Sequence, residues 1–154
     1  MQLFNAQVSW QRDGQAFTDK RYSRAHQWLF DGGLQVPASS SPLSVPLPMS
    51  DAAALDPEEA LVAALSSCHM LFFLSIAATR GFVVDSYRDD AVGSMDKNAD
   101  GKKAMTLITL RPTIVFAGER RPSRVEIDAI HHDAHQQCYI ANSIKAEVVI
   151  EGVN

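Results

Sequence analysis

A chain of 154 residues with 46% apolar and 21% charged side chains has ordinary globular composition, which excludes a disordered chain and suits one domain spanning residues 1–154. The formal net charge of −4 and the lack of a basic patch exclude a nucleic-acid partner as the expectation. Two cysteines exclude a disulfide scaffold, and Met1 to Trp10 lacks the charged start and apolar run of a signal peptide, so a cytoplasmic location is expected. In that compartment a cysteine pair is more often redox-active or metal-binding than structural.

Strand-like patches occupy residues 3–11 and 15–36, with Asp31-Gly32-Gly33 as a tight turn inside the second. The stretch from Pro37 to Asp56 holds four prolines and is expected to be a loop or strap. Loops of that length in small domains are often functional or cover something. A helix is predicted from Asp56, which caps it, with Pro57 in the first turn and Glu59 completing a capping box. Glu58 and Glu59 suit the positive end of its dipole, and Gly81 ends it after Arg80. Two strand stretches follow at about 82–95 and 104–117, joined by a turn over Lys97 to Lys102. Ser123 and Glu126 form a second capping box that opens a helix over 124–138, with Ile127, Ile130, Ala134 and Cys138 on its apolar face. A last strand is expected near 144–151. Strands, long helix, strands, helix and strand in that order predict an α+β fold with two main helices and a largely antiparallel sheet.

The run ALVAALSSCHMLFFLSIAA, from Ala60 to Ala78, is 19 residues long and near the length of a membrane span. It stands alone among amphipathic segments, so a buried helix without a membrane is the expectation. In so small a domain such a helix needs cover from a second subunit.

Cys68 lies near the middle of this helix. A free cysteine there is first a small core hydrophobe, and apolar burial raises a thiol's pKa. A reactive Cys68 therefore needs a cation brought from elsewhere in the fold. Arg24 is the candidate, with Arg12, Arg21 and His26 as competitors. Glu58 precedes Cys68 by ten residues, too far to touch it, yet placed to hold an arginine that reaches down between them. Cys138 ends the second helix on its apolar face, so the helices bearing the two cysteines could meet there. Whether their Cα atoms come within disulfide reach does not follow from sequence. His131, His135 and Cys138 also share one helical face, the pattern of a zinc site. However, i and i+7 stand about 10 Å apart along the axis, which suits one ion poorly. No metal is expected. No phosphate loop, nucleophile elbow or CxxC motif is present, and no cofactor is expected.

Two segments carry a family resemblance. Asp56-Pro57-Glu58-Glu59-Ala60-Leu61-Val62-Ala63-Ala64-Leu65-Ser66-Ser67-Cys68 resembles the helix motif of the OsmC/Ohr family, in which an Asn-Pro-Glu start precedes a cysteine ten residues after the Glu. Ala134-His135-Gln136-Gln137-Cys138-Tyr139-Ile140-Ala141-Asn142-Ser143 resembles the second cysteine motif of that family. Asp56 stands where the family usually has Asn, and Tyr139 where its peroxide-reducing members usually have Pro.

The resemblance implies an intertwined α+β homodimer with central buried helices. It implies reduction of organic hydroperoxides to alcohols at the expense of an external dithiol or lipoyl-type reductant. It makes Cys68 the peroxidatic residue, Cys138 the resolving one, and Glu58 the holder of a catalytic arginine, to which Arg24 corresponds. The alternative function is a small-molecule binding protein of the same fold with both cysteines inert.

Overall fold

The computed structural model, described for residues 1–152, opens with three short strands, β1 (Ala6–Ser9), β2 (His26–Phe30) and β3 (Gln35–Ala38). They form an antiparallel sheet in the order β1-β2-β3, with Val8 opposite Trp28 and Trp28 opposite Val36. The predicted turn closes the second hairpin through Gly33 N–H to Phe30 O (2.9 Å) and Phe30 N–H to Leu34 O (3.0 Å). The strand expected from residue 15 begins only at His26. The preceding segment is occupied otherwise: Trp10, Phe17 and Tyr22 pack their rings together at 4.6–5.9 Å between centroids, and Asp13 and Lys20 have positive φ. No strand passes through such backbone.

The strap also starts later than expected, because Pro37 sits inside β3 opposite Gln27. β3 is an edge strand, where a missing N–H costs no ladder bond. The far end of the strap returns to that edge. Leu55 N–H donates to Pro37 O and Ser39 N–H to Leu55 O, both at 3.0 Å.

Helix α1 spans Pro57–Thr79. The Asp56 carboxylate accepts Glu59 N–H at 2.8 Å, an N-cap as predicted, although only this half of the expected box forms among the described residues. Its other end closes on Gly81, at φ 79°. Phe82 N–H reaches Ala77 O and Gly81 N–H reaches Ala78 O, both at 3.0 Å, the paired bonds of a Schellman ending.

The chain divides into two units, Met1–Ala60 and Leu61 onward. In the second, each expected long strand is broken into two. The first becomes β4 (Val83–Asp89) and β5 (Val92–Lys97), and the second β6 (Lys103–Leu110) and β7 (Pro112–Ala117). β4 pairs with β7 and β5 with β6, both antiparallel, in separate sheets. The break falls at Arg111-Pro112, because Pro112 has no N–H to give. The Asp89 side chain takes Arg111 N–H at 2.6 Å and accepts the Ser66 hydroxyl with its other oxygen. A carboxylate thus replaces ladder bonds at the corner.

Helix α2 (Arg124–Gln137) has the full capping box of Ser123 and Glu126, and it carries the chain to β8 (Glu147–Ile150). β8 runs parallel to β6, the single parallel pairing between strands among the described residues. Parallel neighbours need a crossover, and α2 lies within it.

Two apolar clusters form the core of this unit. Phe73, Ala77, Phe82, Ile114, Ile127, Ile130 and Ala134 make one. Leu65, Ile108, Leu110 and Cys138 make the other, with Cys68 packed against it. From α1 only Leu65, His69, Phe73 and Ala77 are buried, a stripe of period four. The helix is long and apolar enough to cross a membrane by length and composition, and 22% of that window is buried. The expectation of a helix covered on all sides is not met within the single chain.

Candidate functional site

Cys68 stands on α1 and Cys138 is the C-cap of α2. The structure brings these two thiols into contact, both unoxidised. Cys138 is fully buried and Cys68 half-buried. They meet because both belong to one apolar cluster, where Leu65, Ile108 and Leu110 form the floor and Phe72 packs alongside. Immediately after Cys138, the exposed Tyr139 ring stands edge-on to Phe72, with centroids 5.1 Å apart.

Burial pushes the Cys138 thiol up to about 11, and its hydrogen bond to Cys68 adds to the shift. Backbone N–H donors oppose it weakly, among them Ala141 N–H at 3.4 Å from Sγ. That N–H comes from a short 3₁₀ turn over Ala141–Ser143, which continues the chain just past the helix end. Cys138 therefore keeps its proton at neutral pH and presents it to the Cys68 sulfur. A buried protonated thiol beside a more accessible one is an asymmetric pair: one sulfur can meet a small molecule while the other waits.

Arg24 and Glu58 lie in the first unit and are not brought together there. Arg24 N–H donates to Met49 O at 2.8 Å, which fastens its backbone to the strap. Its guanidinium donates to the Lys20 and Tyr22 carbonyls and lies 3.8 Å from the centre of the Tyr22 ring. Glu58 occupies the first turn of α1 and makes no ion pair with Arg24. Of the competing cations, Arg12 bonds the Gln15 carbonyl. His26 holds Arg24 O with Nδ1 at 2.7 Å and accepts the Trp28 indole at Nε2, so both its ring nitrogens are engaged.

Sequence reasoning missed a further polar contact in the second unit, where the cysteines lie. His69, the residue after Cys68, sends Nε2 to His131 Nδ1 at 2.9 Å, with the rings 6° from parallel. Both are almost wholly buried, and burial pulls both imidazoles down to about 4. His131 thus faces α1 and pairs with His69. Among the described residues no group of three or more His, Cys, Asp or Glu stands ready for a metal, so the zinc pattern of His131, His135 and Cys138 does not assemble. A signal was present in the sequence: a histidine in the middle of the most apolar helix must find a polar partner.

A family model described as OsmC-like protein matches residues 50–152, a span that holds both cysteine motifs and Glu58. No curated protein matches the chain. Among solved structures, an OsmC-like protein of unknown function from Vibrio cholerae is 53% identical over the whole of both chains, with a TM-score of 0.97. An organic hydroperoxide resistance protein OsmC from Legionella pneumophila is 14% identical at a TM-score of 0.68, over 99% of this chain and 96% of that one. The organic hydroperoxide resistance protein of Bacillus subtilis is 18% identical at 0.64, over 98% of each. At those identities the last two show the α+β fold alone. By the family model and the Vibrio structure together, the chain belongs to the OsmC-like proteins.

Proposed function

We propose that the chain is a thiol-dependent peroxidase that reduces organic hydroperoxides to alcohols, acting in the cytoplasm as a homodimer of one-domain subunits. The observation that carries this reading is the contact between a half-buried Cys68 and a buried, protonated Cys138. The names of the Legionella and Bacillus proteins of the same fold agree with it.

The Cys68 thiolate attacks the distal oxygen of the hydroperoxide. A sulfur–oxygen bond forms, the oxygen–oxygen bond breaks, and the alkoxide leaves and takes a proton to become the alcohol. Cys68 is then a sulfenic acid. The Cys138 sulfur attacks it, the sulfur–oxygen bond breaks, and the hydroxyl departs as water with the Cys138 proton. An external dithiol or lipoyl-type partner reduces the Cys68–Cys138 disulfide by two exchange steps and becomes a disulfide itself.

In this reading Arg24 is the cation that stabilises the Cys68 thiolate, and Glu58 holds its guanidinium in a bidentate pair. To do so the guanidinium must exchange the Lys20 and Tyr22 carbonyls for the Glu58 carboxylate. The apolar cluster around Cys68, with Phe72 beside it, favours an organic peroxide over hydrogen peroxide.

The test is intact mass and free-thiol count after one equivalent of cumene hydroperoxide. Wild type should lose two hydrogens, and Cys138→Ser should hold a trappable sulfenic acid on Cys68. Arg24→Met should form that acid at least about tenfold more slowly, since it lacks the cation. Two unreacted thiols in wild type would sink the proposal, and an unaffected Arg24→Met would shift the cation to Arg21.

A further inference from the structure

We infer that the buried hydrogen bond between His69 and His131 is a positioning device, which fixes α1 against α2 so that Cys138 stays within bonding reach of Cys68. The inference rests on the two-thiol reading above and adds residues that the family motifs do not include.

The geometry is specific. Cys68 and His69 are successive residues on α1, so their side chains leave the axis about 100° apart. The one meets Cys138 and the other meets His131. His131 and Cys138 stand seven residues apart, two turns of α2, or about 10 Å along its axis. The helices are therefore tied at two separate points, one polar and one made by the thiols.

Elsewhere the two helices share an apolar cluster, in which Phe73 and Ala77 of α1 join Ile127, Ile130 and Ala134 of α2. Apolar contact is not directional and tolerates sliding. A hydrogen bond of 2.9 Å between near-parallel rings does not. A further polar tie among the described residues is the ion pair of Arg80 with Asp133, beyond the end of α1 and partly exposed, where it is worth little.

The pair also has a preferred proton arrangement. His131 Nε2 is buried without a partner. If His131 Nδ1–H donates to His69 Nε2, the orphan nitrogen is a bare acceptor. The opposite tautomer would bury an unpaired N–H, which proteins rarely accept. Phe73 lies against the His131 ring at 4.4 Å between centroids. Asp128 and Arg124 act on His131 from α2, and His135 acts on His69. The net result is a neutral pair locked in one orientation.

The step that depends on this device is disulfide closure, in which the Cys138 sulfur displaces hydroxide from the Cys68 sulfenic acid and water leaves. Attack on the peroxide needs only Cys68 and its cation. Loss of the bond should therefore slow closure and spare attack.

The experiment uses His131→Phe, which removes the donor and keeps an aromatic ring, and His131→Asn, which returns an N–H donor at the Nδ1 position. Each full-length protein is equilibrated with oxidised and reduced glutathione, and the disulfide fraction is read by acid quench and intact mass. The protein dithiol and oxidised glutathione exchange to protein disulfide and two reduced glutathiones, so the readout needs no peroxide. His131→Phe should lower the effective concentration of Cys138 toward Cys68 by about tenfold. His131→Asn should stay within about threefold of wild type. His69→Leu removes the same bond from the other helix and should match His131→Phe. A wild-type value in either apolar variant with its far-UV spectrum intact would overturn the inference, as would an Asn variant impaired as much as Phe.

Stopped-flow mixing with cumene hydroperoxide completes the design. In His131→Phe, sulfenic acid should form at the wild-type rate and accumulate. Slowed formation with normal closure would also overturn it. No sulfenic acid in wild type would instead remove the peroxidase reading, while the glutathione equilibrium would still decide the positioning claim.

Discussion

A thiol that ends a helix in an apolar cluster can be there to fill space or to react, and its neighbour decides which. Cys138 has Cys68 beside it, holds its own proton, and is sealed from solvent. A space-filling cysteine needs no second thiol. The two buried imidazoles add a titration that the cysteines do not. Each is pulled from 6.5 to about 4 in the folded chain, mainly by desolvation. Between those values the unfolded chain binds more protons than the folded one, so stability rises with pH across the window. Their contribution is whole above about pH 6.5 and falls away toward pH 4, by at most about 1.4 kcal/mol per pH unit for each imidazole. Urea midpoints from pH 4.5 to 7.5 should show this slope in wild type and a flatter one in the His69→Leu/His131→Phe double variant. Equal slopes would assign the acid lability to other groups. At this scale Cys68 and Cys138 were legible from their motifs. The histidine pair was not, because its members are 62 residues apart and His131 reads more readily with His135 and Cys138 on its own helix. Periodicity says which residues share a face and not what that face meets.

Helix ends obey local chemistry, and here they follow the sequence closely. The Asp56 cap, the Ser123–Glu126 box and the Gly81 ending each lie within a residue or two of where the side chains place them. Strand breaks obey tertiary demands, and the long stretches at 82–95 and 104–117 did not announce theirs. The carboxylate that organises the break, Asp89, takes one partner from β7's approach at Arg111 and another from α1 at Ser66. Neither partner is near it in sequence. Gly93 has the same character. A Cβ there would lie 2.6 Å from Val62 Cγ2 on α1 and 2.6 Å from Met105 Sδ on β6. The methionine tip can move, but the branched valine on a helix cannot follow easily. Gly93→Ala should therefore destabilise the chain by roughly 1–3 kcal/mol, read as a lower denaturant midpoint at unchanged m-value. Adding Val62→Ala should recover part of the loss, and full stability of Gly93→Ala alone would mean that α1 is free to lift from β5.

At the scale of the molecule, the salient fact is what α1 leaves uncovered. Its buried stripe is Leu65, His69, Phe73 and Ala77, while Ala64, Ser67, Leu71, Ser75 and Ala78 lie exposed on another face. Leu71 is 60% exposed. These residues are small or apolar, and none carries a charge to hold water. A helix this apolar was expected to be buried on every side, and within one chain it is not. The two statements agree if a second copy covers the face, as the proposed homodimer requires. Leu71→Glu would place a carboxylate in that contact and should weaken the dimer by about a hundredfold or more. Sedimentation velocity over a dilution series checks it: wild type should run as a dimer and the variant as a monomer at the same concentration. A monomeric wild type would remove the dimer from the proposal.

The aromatic residues give the molecule an optical division of labour. Its only two tryptophans are Trp10 and Trp28, and both belong to the first unit. Trp10 donates its indole N–H to Ser23 O at 2.8 Å, one residue before Arg24, and packs on Tyr22, whose ring carries the Arg24 guanidinium. Helix α2 and nearly all of α1 lie in the second unit, which holds no indole. Indole emission is therefore a native reporter for the arginine-bearing segment, whereas ellipticity at 222 nm follows the helices that hold the thiols. Recording both signals in one experiment reads the two halves of the chain separately, with no label introduced.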